Sequence, residues 1–275
     1  MGMERTFLTL RWAILCLLVA AVAYGALAGV RWSRPRLAGR TAEDWAHDLA
    51  RPEPGVRIAA VDALGALAPD DPSATLARLE PALRDADAAV RLHTVRMIGY
   101  ELPSLDGAQK ALHFALHDGH TEVRLTAVDL LHPNPRGGPL PEPACARLKE
   151  LLVDENARVR MHAMLKIEWF EEDPESRSRA RCRGLLDPSP EVRRVAALGL
   201  VESEANPAAA LRALVCTLDD GDRVVRGVAR WVLRERIAAS QTALAQLREL
   251  AEDRDPRVRN AASAILTNRT YPQND

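Results

Sequence analysis

Hydrophobic and polar positions recur along the chain with a period close to 33 residues. A Val-Arg pair occurs seven times, and successive pairs are separated by 34, 33, 36, 33, 33 and 33 residues. The pairs are Val56-Arg57, Val90-Arg91, Val123-Arg124, Val159-Arg160, Val192-Arg193, Val225-Arg226 and Val258-Arg259. A fixed period in this range indicates a repeat architecture in which each unit is one small structural motif.

Each valine opens a segment with the spacing of an amphipathic helix. A small residue follows four positions later and Leu or Ile eight positions later, and positions 0, 4 and 8 share one helical face. The small residues are Ala60, Thr94, Ala127, Ala163, Ala196, Ala229 and Ala262. A second apolar row, seven and eleven residues before the valine, predicts another helix, so each unit is expected to be a helix pair.

An aspartate five residues before the valine marks the predicted turn between the two helices in six of the seven units. These residues are Asp85, Asp118, Asp154, Asp187, Asp220 and Asp253. A carboxylate at this place is expected to accept hydrogen bonds from free amides at the start of the second helix and to suit its positive end. At the start of the first unit, Thr41 is the expected N-cap.

The pattern D-x4-V-R-x2-A-x3-L at this period resembles the short HEAT repeats, the type also found in phycobilisome lyases, over residues 41–267. The resemblance implies an all-α fold, an α-solenoid that forms a right-handed superhelix of about seven HEAT-like helix pairs. It also implies that second helices line the concave side and that the arginine after each valine pairs with a turn aspartate. Such arrays are stabilised mainly by stacking between neighbouring repeats.

The N-terminal segment differs from the repeats because residues 12–30 contain no charged side chain. A helix of 19 residues would span about 28 Å, close to the thickness of a bilayer core. We expect a transmembrane helix at 12–30, a tail at 1–11 and a basic linker at 31–40. A cleavable signal peptide at 12–30 is the alternative.

Positive charges on the two sides of this segment favour opposite orientations. Arg5 and Arg11 favour an N-terminus inside the cell, whereas four arginines between residues 31 and 40 oppose transfer of the body. Because short N-terminal tails normally stay inside, we expect a single-pass N-terminal anchor with its soluble body outside the cytoplasm. The formal net charge of −1 conceals an acidic repeat region, which argues against nucleic acid as a partner.

Candidate chemistry is sparse. The chain contains no P-loop, no G-x-S-x-G elbow and no H-E-x-x-H motif, so we predict neither an enzyme nor a cofactor. His113, His117 and His120 form a weak candidate metal site, because imidazoles one helical turn apart can chelate zinc or copper. A metal-binding accessory or sensor subunit is therefore one alternative function, and a bilin-lyase-like enzyme is another that only the resemblance implies.

The expected function is a membrane-tethered scaffold that binds a protein or peptide on its concave face. Positions two and five residues after the valine are expected to face away from the core, and in the first four units they are apolar. This apolar stripe consists of Ile58, Val61, Leu92, Val95, Leu125, Val128, Met161 and Met164. Arg194, Arg230 and Arg234 would add polar selection. The alternative is that neighbouring second helices bury the stripe against one another.

Two further segments interrupt or follow the repeats. Residues 132–143 contain five prolines and cannot be helical at their centre, so they form either a binding loop or a tolerated insertion. Residues 268–275 are expected to be a disordered tail.

Overall fold

A computed structural model describes residues 37–103, 105–132, 142–171, 173–201 and 207–267. Within these ranges the chain forms helices and turns, and one 3-10 segment, Glu80–Arg84, directly follows the helix that ends at Leu79. The helices are α1 (Ala42–Asp48), α2 (Pro54–Leu67), α3 (Pro72–Leu79), α4 (Ala88–Glu101), α5 (Asp106–Ala115), α6 (Thr121–Leu130), α7 (Glu142–Leu151), α8 (Ala157–Phe170), α9 (Pro174–Gly184), α10 (Pro190–Gly199), α11 (Pro207–Thr217), α12 (Arg223–Ala239), α13 (Gln241–Leu250) and α14 (Pro256–Thr267). The all-α prediction is confirmed.

Several predicted segments lie outside the described residues. These are the tail at 1–11, the anchor at 12–30, most of the linker at 31–40, the centre of the Pro-rich segment and the tail at 268–275. They stay predictions. Among the residues that the structure does describe, no helix combines the length and the apolar character needed to cross a membrane.

The helices form two compact structural units, each larger than a single repeat, one up to Ala111 and one from Leu112. From here on, the word unit refers to one of these two parts of the chain. In the first unit, α1 packs on α2, and α2 packs against α4. In the second unit, α6, α8, α10 and α12 pack side by side in that order. Each of α8, α10 and α12 also contacts the helix that precedes it in its own pair. The predicted pairing and stacking of helices is therefore present within each unit.

The core follows the repeat pattern closely. All seven small residues four positions after the valine are fully buried, and the Leu or Ile at eight positions is at most 2% exposed in the first six repeats. Small side chains at this position allow the paired helices to approach closely, so leucines from both helices fill the space around them. Thr94, the one polar member, donates its hydroxyl hydrogen to the Val90 carbonyl at 2.8 Å.

A repeated arginine–aspartate contact connects neighbouring repeats. Arg160 Nε and Nη2 donate to the two carboxylate oxygens of Asp187 at 2.7 and 2.8 Å, and its Nη1 donates to the Asp154 carbonyl in its own turn at 2.8 Å. The same two-bonded contact joins Arg57 to Asp85, Arg124 to Asp154 and Arg193 to Asp220. Each arginine thus holds its own turn and binds the next, as the resemblance implied.

The turn aspartate acts slightly differently from the prediction. Asp187 Oδ1 accepts a hydrogen bond from the Ser189 amide at 2.8 Å, which closes the turn before the helix begins. Side-chain capping comes from the residue two positions after the aspartate, as in Asn156, which accepts from the Arg158 amide at 2.9 Å. At the start of α1, Thr41 and Asp44 form a capping box, so the predicted N-cap is confirmed.

The last repeat departs from the regular stack. Helix α12 has 17 residues against 10 in α10, and only Ser240 separates it from α13. Helix α14 packs against α13 and α11. Its turn aspartate, Asp253, is bound by Arg212 of α11 at 3.1 Å, whereas Arg226 of α12 donates to the carbonyls of its own turn. The regular contact between second helices thus ends at α12.

Candidate partner-binding surface

The apolar stripe is buried rather than exposed over most of its length. The stripe residues that lie five positions after the valine are 0–5% exposed. Of those that lie two positions after it, Leu125 is 3% exposed. The buried residues are Val61, Val95, Leu125, Val128 and Met164, and the half-buried residues are Ile58, Leu92 and Met161. The predicted exposure of this stripe is therefore wrong, and the alternative, burial between second helices, holds within each unit.

Helix geometry explains the error. At about 100° per residue, the fifth position lies about 100° from the fourth, on the flank of the helix that meets the neighbouring second helix. Met164 shows the result, because it joins Ala196 and Ala197 of α10 in one hydrophobic cluster. The sixth position lies about 200° from the fourth and faces away from the core.

The sixth position is exposed in every repeat. It is occupied by Asp62, Arg96, Asp129, Leu165, Leu198, Trp231 and Ala264. In repeats four to six, large apolar side chains stand at this position: Leu165 is 50% exposed, Leu198 46% and Trp231 47%. Because α8, α10 and α12 are consecutive neighbours, these three residues belong to one continuous surface of the second unit.

Trp169 extends this surface by one helical turn along α8. It lies four residues after Leu165, is 58% exposed, and carries the Lys166 ammonium 4.9 Å from its ring centroid. We name Leu165, Trp169, Leu198 and Trp231 the apolar row. Half-buried Val195 and Val228 belong to the same helices and pack against the core beneath them. Adjacent exposed apolar side chains on three helices are typical of a surface that contacts another molecule.

Earlier repeats carry polar pairs at the equivalent place. His93 Nδ1 lies 3.5 Å from Asp62 Oδ1, between α4 and α2, and His162 of α8 contacts the carboxylate of Asp129 on α6. Each pair joins the sixth position of one repeat to the third position of the next. The change from these pairs to apolar residues begins at Leu165, so the apolar row is confined to repeats four to six.

The three predicted arginines lie beside the apolar row. Arg194 on α10 is half-buried, with its Nη2 at 3.4 Å from Glu191 Oε1. Arg230 and Arg234 lie one turn apart on α12, and both are exposed. Arg230 occupies the fifth position, which is apolar and buried in the preceding repeats, because α14 does not cover this side of α12. Arg230 and Arg234 therefore lie on the last helix of the apolar row, and Arg194 lies one helical turn before Leu198 on its middle helix.

The three histidines do not form a metal site. The rings of His113 and His117 meet edge to face with centroids 5.5 Å apart. Burial lowers the pKa of His117, and the nearby Arg147 and His113 lower it further. Across the described ranges, no three or more His, Cys, Asp or Glu side chains come together in a group that could hold an ion. His120 therefore does not complete a triad, and the metal candidate is corrected.

Helix pairs that stack through a repeated arginine–aspartate contact define a scaffold of the α-solenoid class. Residues 178–267 match the family model for HEAT repeats. The X-ray structure of YibA from Escherichia coli is similar to this chain, with a TM-score of 0.56 and 20% identity over 88% of this chain and 86% of YibA. The predicted resemblance to HEAT repeats is therefore confirmed, with the family match at residues 178–267 and a similar repeat fold in YibA.

The crystal structure of Cex1p has a similar fold at lower identity. Its TM-score is 0.54 with 12% identity, and the match covers 82% of this chain and 51% of Cex1p. This chain therefore matches about half of Cex1p. A sequence comparison with characterised proteins found no match.

Proposed function

We propose that this protein is a non-enzymatic scaffold that holds a protein or peptide partner on the exposed face of its second helices. The single observation that carries the proposal is the apolar row. Leu165, Leu198 and Trp231 expose about half of their surface on three adjacent helices, although each could be polar without disturbing the core. Contact with a partner would remove this apolar area from water, and each Å² removed would favour binding by about 25 cal/mol.

The proposed surface contains other apolar residues than the predicted stripe, but it is again an apolar surface with arginines beside it. It keeps Arg194, Arg230 and Arg234 as polar contacts and replaces the buried stripe with the apolar row. The helices beneath are fixed by the core and by the bonds from Arg160 to Asp187 and from Arg193 to Asp220. A rigid platform of this kind lowers the entropy that binding costs.

A membrane anchor and an extracytoplasmic body remain part of the proposal. They rest on the uncharged segment at 12–30 and on the distribution of arginines around it. Deletion of residues 12–30 should release the protein from sedimented membranes without changing the far-ultraviolet circular dichroism of its repeats. A truncated protein that still sediments with membranes would remove the anchor from the proposal.

Leu198→Glu tests the partner-binding surface. Leu198 is 46% exposed, so a charge there should leave the fold intact and weaken partner binding at least tenfold. Leu186→Glu is the matched control, since Leu186 is 84% exposed in the turn between α9 and α10, outside the apolar row. Partners are captured in detergent with the full chain, purified, and titrated against both variants. Equal affinity for the wild type and the Leu198 variant would reject the surface.

A further inference from the structure

Helix α12 carries four arginines along one side. Arg223, Arg226, Arg230 and Arg234 are spaced at i, i+3, i+7 and i+11, so they share one face over a length of about 16 Å. We name them the arginine stripe. Three of the four are exposed, and Arg226 is half-buried. Like charges one turn apart repel each other, so the stripe is electrostatically costly unless a partner neutralises it.

The equivalent side of α10 is covered by the next second helix. There, Arg193 binds Asp220 of the following repeat at 2.7 Å, and Ala197 at the fifth position is fully buried. The equivalent side of α8 is covered in the same way, through Arg160 and Asp187. A second helix in this fold therefore presents a surface that is shaped to receive another helix alongside it.

Helix α12 receives no such neighbour from the seventh repeat. The carboxylate that Arg226 would bind belongs to Asp253, and Arg212 of α11 binds it instead. Arg226 donates to the carbonyls of Asp220 and Gly221. Within the part of the chain that the structure describes, none of the four arginines of the stripe forms an ion pair with a carboxylate. The stripe thus has the geometry of an interior repeat without its partner.

The surface next to the stripe suits the close approach of a helix. Gly227 lies between the stripe and Trp231, and a Cβ added to it would meet nothing within 4 Å. Val224 and Trp231 flank it and are 51% and 47% exposed. A partner helix over Gly227 would place apolar side chains against Val224 and Trp231 and carboxylates against the stripe, at the usual interaxial distance of about 8–10 Å.

We infer that the arginine stripe docks an acidic, amphipathic α-helix of a partner protein, which takes the place of the next second helix beside α12. This inference rests on the proposed function, since it names the chemistry of one partner. A helix fits better than an extended peptide because it satisfies its own backbone hydrogen bonds. Val224 and Gly227 offer no side-chain hydrogen bond to a peptide backbone, and Trp231 offers only its indole N–H as a donor. Arginine also pairs with carboxylates through two parallel bonds, as Arg193 and Asp220 show.

A phosphate-rich partner is disfavoured by the charges around the stripe. Asp219 and Asp222 lie at the N-terminal end of α12, and Glu235 follows Arg234. These carboxylates would repel a polyanion or an anionic membrane that covers the whole region. A folded acidic helix can place its carboxylates only where the arginines are.

Designed peptides test the inference with the full chain in detergent. The probe is an 18-residue labelled helix with Glu at positions 3, 7, 10 and 14 and Leu along the adjacent edge, and the control peptide has the same composition with its Glu residues distributed around the helix. Fluorescence anisotropy should show at least tenfold tighter binding of the probe, and Arg230→Glu combined with Arg234→Glu should reverse this preference. Arg179→Glu combined with Arg183→Glu is the matched control, because it makes the same charge change on exposed positions of α9.

The other results would each overturn the inference. Equal binding of both peptides, or equal weakening by the α9 variant, would show only general charge attraction. Tighter binding of phosphatidylserine vesicles or of a DNA oligonucleotide, lost in the α12 variant, would assign the stripe to a different class of partner. If Leu198→Glu abolishes capture of a natural partner and the α12 variant leaves that partner and the probe unaffected, the apolar row stands as the partner-binding surface, Arg230 and Arg234 drop out of it, and this inference fails.

Discussion

Arg212 Nε lies 3.1 Å from Asp253 Oδ2, so the turn aspartate of the last helix pair is bound from α11. In the preceding repeats the equivalent aspartate is bound by a second helix, whereas Arg212 belongs to the first helix α11. The seventh pair is consequently attached to α11, and the arginine stripe of α12 is left open. The partner of the turn aspartate thus differs between the end of the stack and its interior.

Arg212→Ala should loosen the last helix. Because α14 also packs on α13 and α11, the protein should stay folded, but amide hydrogens in Pro256–Thr267 should exchange several-fold faster. Hydrogen–deuterium exchange with mass spectrometry measures this directly. Arg248→Ala, at an exposed position on α13, is the control. Unchanged exchange in α14 would mean that apolar packing alone positions the seventh pair.

Asp187→Ala should destabilise the second unit strongly. It leaves Arg160 without its partner at a contact where the two side chains are only 11% and 8% exposed, and loss of one member of a buried pair costs about 3 kcal/mol. Urea denaturation should show a lower midpoint. Asp219→Ala, which changes an exposed turn residue, should shift the midpoint by less than about 0.5 kcal/mol. Similar shifts in both variants would argue against a stabilising role for the inter-repeat contact.

Stability should fall in acid for the same structural reason. Burial alone would raise the pKa of Asp187, but hydrogen bonds from Arg160 and from the Ser189 amide outweigh it and hold that pKa below its ordinary value. The pKa values of Asp85 and Asp220 are lowered by equivalent partners against the same effect of burial. A carboxylate with a lowered folded-state pKa contributes its full stability above its unfolded pKa of about 3.9 and loses it as the pH falls through the folded value.

The measurement is the free energy of unfolding from pH 7 to pH 2. The contribution of these three aspartates to the free energy of unfolding should be constant above about pH 5 and should decline below about pH 4. The decline should be smaller in Asp187→Asn, which cannot titrate at this position. An identical acid slope in wild type and variant would show that other carboxylates control the transition.

The repeat pattern alone was enough to predict the helix pairs, the buried small residues and the arginine–aspartate contacts. These features depend on one repeat and its immediate neighbour, so they recur wherever a repeat has a regular neighbour on the next second helix. Exposure on the outer face was harder to predict, because Met164 and Leu165 differ by only one position and their burial depends on how closely α8 and α10 pack. The change from Asp129 to Leu165 at the sixth position was the available signal.

The end of the stack could not be predicted from the pattern. Val258 follows Val225 by the usual 33 residues, and Asp253 stands at the usual place before it. Nothing in that spacing shows that Arg212 will bind Asp253. Arg230, at a position that is apolar in the five preceding repeats, was the residue in the pattern that indicated a missing neighbour.

Gly184→Ala should destabilise the packing of α9. A Cβ at this position would lie 2.8 Å from the Ala196 Cβ and 2.6 Å from Met164 Cε. Ala196 cannot move away from it without a shift of α10. We expect a loss of about 1–3 kcal/mol, as is typical of overpacking. Gly227→Ala is the contrasting variant, since open space surrounds it in α12 and alanine gains up to about 1 kcal/mol in helix propensity. The same sign for both changes would contradict the packing described between α9 and α10.

Lys166→Met should weaken the junction between α6 and α8. Lys166 is only 8% exposed. Its ammonium group donates to the backbone carbonyls of Asp129 and Leu131 at 2.8 and 2.7 Å, where α6 ends. Burial lowers the pKa of Lys166, against the opposing charge of Asp129, so the protein retains this cation at an energetic cost. That cost is offset because the cation satisfies carbonyls at the negative end of a helix.

Methionine keeps most of the volume of the side chain but cannot donate, so the two carbonyls lose their partner. We expect a loss of about 2 kcal/mol in the free energy of unfolding, together with faster amide exchange in the last turn of α6. Lys166→Arg restores a donor and should recover part of the loss, because the longer guanidinium can still reach one carbonyl. If the methionine variant is as stable as the wild type, the cost of burying the ammonium equals its benefit, and the junction is held by Val128, Ala163 and their apolar neighbours alone.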